Sequence, residues 1–408
     1  HALMANNEGC RIEVKVKGME NEKFLLAHHY ADKQYIKDTI QMNENGVGII
    51  ERDEPLEGGI YLIAFPSLNN TYFELIISEQ HFSIETDSAD FVGHMKVTGS
   101  KENQVFYADL QFVNSKRKEA EGIKKQMEEM DKESDEFEKL QERLNAIDKE
   151  VLGYRKDVIK NNKGLLYANV LSALEEVEVP EAPKDEDGNI DSLYNWRYYK
   201  EHYFDNIDFS DERLARTPVL HTKYERYMDK VILQIPDSLI NAADRLIKKA
   251  EASDEIFKFT LVYLLNKYAS SKVMGFDAVY VHVGKKYYCE EKRAYWADEA
   301  GLLRICKRVE TLEKLLIGEP APPLVLQDTS RKYVNLYDLK NEYTVLYFWD
   351  PDCGHCKKET PRLAKIYDTL KTEFDTEVYG IYTQIEEDKW HKYINENELN
   401  WINVGDID

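Results

Sequence analysis

Cys353 and Cys356 stand two residues apart in the run Cys353-Gly354-His355-Cys356. Just before them lies Tyr343-Thr344-Val345-Leu346-Tyr347-Phe348-Trp349, apolar throughout, as a strand buried on both faces would be. Just after them, Leu363, Ile366, Tyr367 and Leu370 recur at helical spacing. A thiol where a helix begins faces unpaired backbone N–H groups and the positive end of the helix dipole, so its thiolate is favoured. The spacing lets the second sulfur sit one turn inward and close a small disulfide ring. The chemistry expected is reversible thiol–disulfide exchange, with Cys353 attacking and Cys356 resolving the mixed disulfide. His355 would add a cationic donor near the sulfur, and a stabilised thiolate makes the disulfide a stronger oxidant.

Blander readings of the same pair are a structural disulfide or half a zinc site. Zinc usually takes four ligands, and no second Cys or His pair at ligand spacing is visible. No metal and no cofactor are therefore expected. Lys357 and Lys358 read as solvated, and Asp350 and Asp352 as acids capping the helix that follows. Of the five cysteines, Cys10, Cys289 and Cys306 are scattered, and the last two read as small buried fillers rather than a second redox pair.

The elements that must position this pair occupy the end of a 408-residue chain, long enough for two to four domains. A net charge of -22 argues against a nucleic-acid surface, and no run of about 18 apolar residues offers a transmembrane segment. The start, His1-Ala2-Leu3-Met4-Ala5, reads either as a cloning remnant or as the residues flanking a signal-peptidase cut. Cys10 lacks the apolar stretch that a lipid-modified cysteine would follow. From Arg11 to about Gly99, short alternating runs such as Ile12, Val14 and Val16, then Tyr61–Phe65, Tyr72–Ile77 and Phe82–Glu85, are separated by turn signals. They predict an antiparallel β-sandwich or barrel over 1–104, the sandwich being the reading taken here.

Apolar residues from Ile123 through Leu140 and Leu144 to Val158 then mark the seam of a long amphipathic helix. It reads as part of an antiparallel hairpin, with a dimerising coiled coil as the alternative. Helices are also expected over 238–253, with Ser238 as N-cap, and over 254–271 and 298–316, giving an all-α domain over 105–316. Pro180 to Asn189 reads as an acidic loop. The aromatic run Tyr194, Trp196, Tyr198, Tyr199, Tyr203 and Phe204 is either core packing or the wall of a ligand groove. Three prolines within Gly318–Pro323 mark a boundary. Strand, helix, strand and helix then follow over 317–408, including Val378–Tyr382 and a helix over 386–397.

The segment from about Ile317 resembles the TlpA/ResA-like thioredoxins, extracytoplasmic thiol–disulfide oxidoreductases of bacteria. The resemblance rests on Gly318-Glu319-Pro320-Ala321-Pro322, on the strand ending Phe348-Trp349, and on Cys353 through Pro361. It implies an α/β thioredoxin fold in which Trp349, Gly354 and Pro361 support the site. It also implies that Glu359, three residues after the second Cys, tunes the thiols. Tyr347 stands where thioredoxins proper carry an acid. Protein disulfide isomerase has the same Cys-Gly-His-Cys and lies about 90 mV above thioredoxin, on the order of 4 kcal/mol. The family's fold goes on to a strand preceded by a cis-proline, and no proline follows Pro361 here, so a truncated domain is expected.

The upstream order, with Tyr295-Trp296-Ala297-Asp298-Glu299 before the last helix, is similar to Bacteroidota proteins that join DUF4369-type and DUF5106-type domains to a thioredoxin domain. That implies a periplasmic or otherwise extracytoplasmic protein made with a signal peptide. Its partners would be protein thiols and disulfides and an upstream redox partner, with a possible homo-oligomer through the helical domain. Two rivals stand beside this reading. One is a peroxiredoxin-like peroxidase, whose peroxidatic Cys normally follows a Thr or Ser three residues earlier, where Asp350 stands. The other is a non-catalytic cell-envelope binding protein with a redox-sensing thioredoxin domain.

Overall fold

Alternation of apolar and charged residues shapes the first hundred residues into eight strands. They are β1 (Cys10–Lys17), β2 (Lys23–Tyr30), β3 (Lys33–Gln41), β4 (Val47–Arg52), β5 (Gly59–Phe65), β6 (Thr71–Ile77), β7 (His81–Asp87) and β8 (Lys96–Thr98). In the computed structural model, which describes residues 9–184 and 186–407, they form two four-stranded sheets, β4-β1-β7-β8 and β3-β2-β5-β6. His1–Ala5 and Asp185 lie outside the described residues. Ile12, Val14 and Val16 point inward and are fully buried, and Cys10 is buried at the start of the same strand. Gly48 on β4 lies so near the other sheet that a Cβ there would come within 2.6 Å of the Phe24 ring on β2. The sandwich departs from the antiparallel expectation in one ladder, because β1 and β7 run parallel. The chain between them crosses to the opposite sheet twice, for β2 and β3 and again for β5 and β6, with β4 returning to the first sheet in between.

Helix α1 (Lys101–Met127) begins where the Ser100 hydroxyl accepts the Asn103 N–H, at 3.1 Å. The buried Asn103 amide then joins the helix to edge strand β6. Its Oδ1 accepts the Ile76 N–H at 2.8 Å and its Nδ2 donates to the Ile76 carbonyl at 2.7 Å. The seam expected to run unbroken from Ile123 to Val158 is interrupted at 128–134, and α2 (Asp135–Asn161) turns back along α1. Phe112 stacks on Tyr154 at 4.2 Å, and Arg143 bonds Glu119 across the hairpin. Buried Glu102 accepts the Leu166 and Tyr167 N–H groups at the start of α3 (Leu166–Leu174), supplying the cap that Leu165 lacks.

The helical region continues through α4 (Tyr194–His202), α5 (Pro218–Arg226), α6 (Pro236–Ala250), α7 (Asp254–Ala269), α8 (Asp277–Val283) and α9 (Glu299–Glu313). Ser238 is not an N-cap. Ile235 holds that position and Pro236 occupies the first turn, where its missing N–H costs nothing. The aromatic run divides: Tyr203 and Phe204 are buried against Tyr227, whereas Trp196 and Lys200 line a cavity of about 360 Å³. Cys289 and Cys306 are not separate fillers. They form a disulfide with Cα atoms 5.7 Å apart.

The chain divides into two compact units between Val309 and Glu310. The second holds β9 (Val325–Asp328), β10 (Tyr333–Asn335), β11 (Tyr343–Trp349), α10 (Cys356–Glu373), β12 (Thr376–Tyr382), α11 (Glu387–Glu396) and β13 (Ile402–Gly405). Its sheet runs β10-β9-β13-β12-β11, with β11, β12 and β13 mutually parallel. Expected to be buried on both faces, β11 is the outermost strand among the described residues, with Phe348 58% exposed, while β12 beside it is buried along its whole length. Among the described residues no helix is long and apolar enough to cross a membrane.

Because Asn103 satisfies two backbone groups at a buried joint, its replacement should leave both unpaired. Asn103→Ala is expected to lower the stability of the N-terminal unit by about 2 kcal/mol, measured by urea unfolding.

Candidate active site

Strand β11 ends at Trp349, which is 1% exposed and stacks on Tyr393 with centroids 4.9 Å apart. Tyr347 points to the same side, two residues earlier, and shares a 2.7 Å hydrogen bond with the wholly buried Thr360 hydroxyl on α10. These contacts anchor both ends of the connecting turn, 350–355. Within it the Cys353 N–H donates to the Asp350 carbonyl at 3.2 Å. The Lys357 N–H returns to the Cys353 carbonyl at 3.1 Å and the Glu359 N–H to the His355 carbonyl at 3.0 Å. Further along, α10 is fastened to β12 where the Tyr367 hydroxyl donates to buried Glu377 at 2.5 Å and Lys371 pairs with the same carboxylate.

The two thiols are free and lie within hydrogen-bond reach of each other. Half-exposed Cys353 is more acidic than an ordinary thiol, chiefly because its sulfur accepts the Cys356 backbone N–H. The Cys356 thiol and the His355 backbone N–H add to the effect. Cys356 moves the other way. It packs against the cluster containing Trp349 and Tyr367, and burial pushes its thiol up, opposed in part by the Asp350 N–H. The Asp350 carboxylate raises both thiols. The more exposed sulfur thus carries the more acidic thiol, and the one a turn behind it the less acidic. That is the arrangement thiol–disulfide exchange requires.

The other residues singled out from the sequence have varied surroundings. His355 is exposed and occupies the N-cap position of α10 with no side-chain cap bond, and what reaches Cys353 from it is a main-chain N–H. Glu359 is exposed and accepts Arg362 Nη1 at 2.8 Å, while its charge reaches Tyr347. Gly354 has open space around it, and an added Cβ would meet no atom within 4 Å. Pro361 lies inside α10, where it withholds an N–H from the Lys357 carbonyl. Lys357 and Lys358 are exposed. Neither Asp350 nor Asp352 caps the helix: Asp350 Oδ1 accepts the Asp352 N–H at 2.7 Å, and Asp352 pairs with Lys389 on α11 at 2.8 Å. The sequence reading passed over Thr360, Gln384 and Tyr393. Gln384 donates to Asp350 Oδ2 at 3.0 Å, and the Tyr393 hydroxyl approaches the Cys356 carbonyl at 3.5 Å. Thr360 on α10 meets Tyr347 of β11, Gln384 precedes α11 and Tyr393 lies on it, and folding alone brings these partners together. Among the described residues no group of three or more His, Cys, Asp and Glu side chains could hold a metal ion.

Residues 317–408 match the AhpC/TSA family, residues 10–106 the domain of unknown function DUF4369, and residues 156–314 the domain of unknown function DUF5106. The thiol-disulfide oxidoreductase ResA of Bacillus subtilis (strain 168) is 32% identical over 96 residues, which cover 24% of this chain and 53% of that protein. ResA of Bacillus thuringiensis (strain Al Hakam) is 39% identical over 59 residues, covering 14% of this chain and 34% of its own length. The chain thus spans about half or less of the curated relatives it matches. Among solved structures, a domain of a possible thiol-disulfide isomerase from Cytophaga hutchinsonii is 37% identical. It covers 22% of this chain and 62% of its own, with a TM-score of 0.21. A thioredoxin-like protein from Bacteroides caccae is 22% identical and covers 56% of this chain and 83% of its own, with a TM-score of 0.43. Residues 317–408 are an AhpC/TSA-family domain of thioredoxin-like fold, joined in one chain to a DUF4369 domain and a DUF5106 domain.

Proposed function

We propose that this chain is an extracytoplasmic thiol–disulfide oxidoreductase that exchanges disulfides with protein clients through Cys353 and Cys356. The observation that carries the reading is the half-exposed Cys353 sulfur accepting backbone N–H groups where α10 begins, which favours its thiolate. In the forward step the Cys353 thiolate attacks a client disulfide and one client sulfur leaves as a thiolate. Cys356 then gives up its proton and displaces the second client sulfur, so the client gains two electrons and the Cys353–Cys356 disulfide forms. Trp349, Tyr347 and Pro361 hold the turn and helix in place, and open space at Gly354 leaves room for an approaching client backbone. His355 contributes through its main chain, and Glu359, paired with Arg362, reaches Tyr347 through its charge.

The Cys289–Cys306 bridge supports an oxidising compartment, since structural disulfides persist outside the cytosol. The domain division that goes with this reading is 1–104, 105–316 and 317–408. A peroxidatic role fits less well, because Asp350 stands three residues before Cys353, where a peroxidatic cysteine normally follows a Thr or Ser.

Cys356→Ser keeps the attacker and removes the resolver, so it should accumulate mixed disulfides with client proteins. Cys353→Ser should lose reductase activity on insulin by at least about a hundredfold and trap nothing. Reductase activity retained in Cys353→Ser would sink the assignment. Rapid hydrogen peroxide consumption with no insulin reduction would favour the peroxidase instead.

The Asp350 carboxylate disfavours a negative sulfur beside it, so neutralising it should lower both thiol midpoints. In Asp350→Asn, the pH midpoint for iodoacetamide alkylation of Cys353 should fall, and the disulfide should become more oxidising in a glutathione titration. A midpoint that stays or rises would show that Asp350 does not act on the sulfur through its charge.

A further inference from the structure

Helix α9 is sparsely buried for its length. Of its 15 residues Val309 alone is buried, and Leu303 is 69% exposed. A helix of that length is marginal in water on its own, so its fastenings decide whether it stays folded. One fastening is a close approach to Gly284. An added Cβ there would lie 2.7 Å from the Val309 side chain and 3.7 Å from Ile305. Arg308 adds a donor to the Ala269 carbonyl at 2.8 Å and lays its guanidinium over the Tyr280 ring at 4.7 Å. The covalent fastening is the Cys289–Cys306 disulfide, closed between residues 17 apart in sequence. Cys289 sits in the π-helical stretch Gly284–Glu290, a widened turn of a kind that often marks functional positions. Both cysteines are only half-buried, flanked by exposed Glu290 and Lys307, so a thiolate has a path to the bridge.

We propose that Cys289–Cys306 is a second thiol–disulfide exchange site of this chain, reduced by dithiols, and that its reduction releases α9 from the helical domain. One thiolate of the dithiol attacks a bridge sulfur, and the other bridge cysteine leaves as a thiolate. The second thiol of the dithiol then displaces the first bridge sulfur. Two electrons pass to the bridge, the dithiol becomes a disulfide, and Cys289 and Cys306 end as free thiols. The cost of losing the bridge falls on local opening of α9 because the cross-link restrains the open ensemble. The step stands apart from the Cys353 and Cys356 reading, since any dithiol supplies the electrons.

The test uses the full chain carrying Cys353→Ser and Cys356→Ser, produced in an oxidising compartment, so that only the bridge can exchange. Native protein is treated with dithiothreitol and alkylated, and the labels on Cys289 and Cys306 are counted by mass spectrometry. Hydrogen exchange is then followed over residues 299–313, with α7 as the internal reference. The expected result is labelling of both cysteines without denaturant and exchange over 299–313 faster by about tenfold or more, with α7 unchanged. Adding Cys289→Ser and Cys306→Ser should reproduce that exchange without reductant. The proposal is overturned if the bridge resists dithiothreitol until the protein is denatured. Unchanged protection over 299–313 once both cysteines are labelled overturns it equally.

Discussion

A sulfur that accepts two backbone N–H groups is the contact on which the C-terminal unit turns. Those donors, on His355 and Cys356, exist because α10 begins there, and the first N–H groups of a helix have no carbonyl below them to bond. The sulfur therefore uses donors that folding would otherwise leave to water. Everything around the turn serves to hold that start in register. Trp349 and Tyr347 fix the end of β11, Thr360 receives Tyr347 from the helix side, and the Glu377 carboxylate ties α10 down further along. Shifting β11 by one residue would turn Trp349 and Tyr347 to the other face and move Cys353 away from the helix start.

Against this attraction stand desolvation and, to a smaller extent, the Asp350 carboxylate, which both oppose ionisation of the two sulfurs. Two opposing influences on one atom make its acidity adjustable by small changes. The carboxylate is itself held by Gln384 and by the Asp352 N–H, so its place depends on the segment that follows β12. Acidity and redox poise are coupled, because a stabilised thiolate favours the reduced state. On the proposed reading, the balance between helix N–H groups and Asp350 is where this chain differs from one with an uncharged residue before its cysteines.

Much of this was legible in the sequence because it is local. Cysteine spacing, the preceding apolar run and the following helical period all act within one or two turns, and they sufficed for the thioredoxin-like fold of 317–408. Alternation likewise gave the β-rich region, and the 3.6 period gave the helices. What escaped depends on partners distant in sequence. Apolar content alone could not order β11 and β12 within the sheet, since both are rich in aromatic and β-branched residues. The resemblance gives Glu359 the tuning role from its place after the second cysteine, yet it pairs with Arg362, while Asp350, which reads as a cap, lies by the sulfurs. The four-residue β13 carried too little pattern to register. Cys289 and Cys306 looked unrelated because 17 residues separate them, and only the return of α9 brings them together.

The two sulfur pairs differ in what geometry asks of them. Cys353 and Cys356 share one turn, so closing their ring needs no rearrangement of the fold, and the pair can cycle without disturbing the sheet. Cys289 and Cys306 join two separate elements, so opening that bridge removes a restraint that little apolar burial on α9 replaces. A pair of the first kind suits repeated electron transfer. A pair of the second kind couples its redox state to local structure, because the free energy of the bond and the order of the helix become one equilibrium. On the proposed reading, that coupling follows from where the bridge is placed rather than from the acidity of its sulfurs.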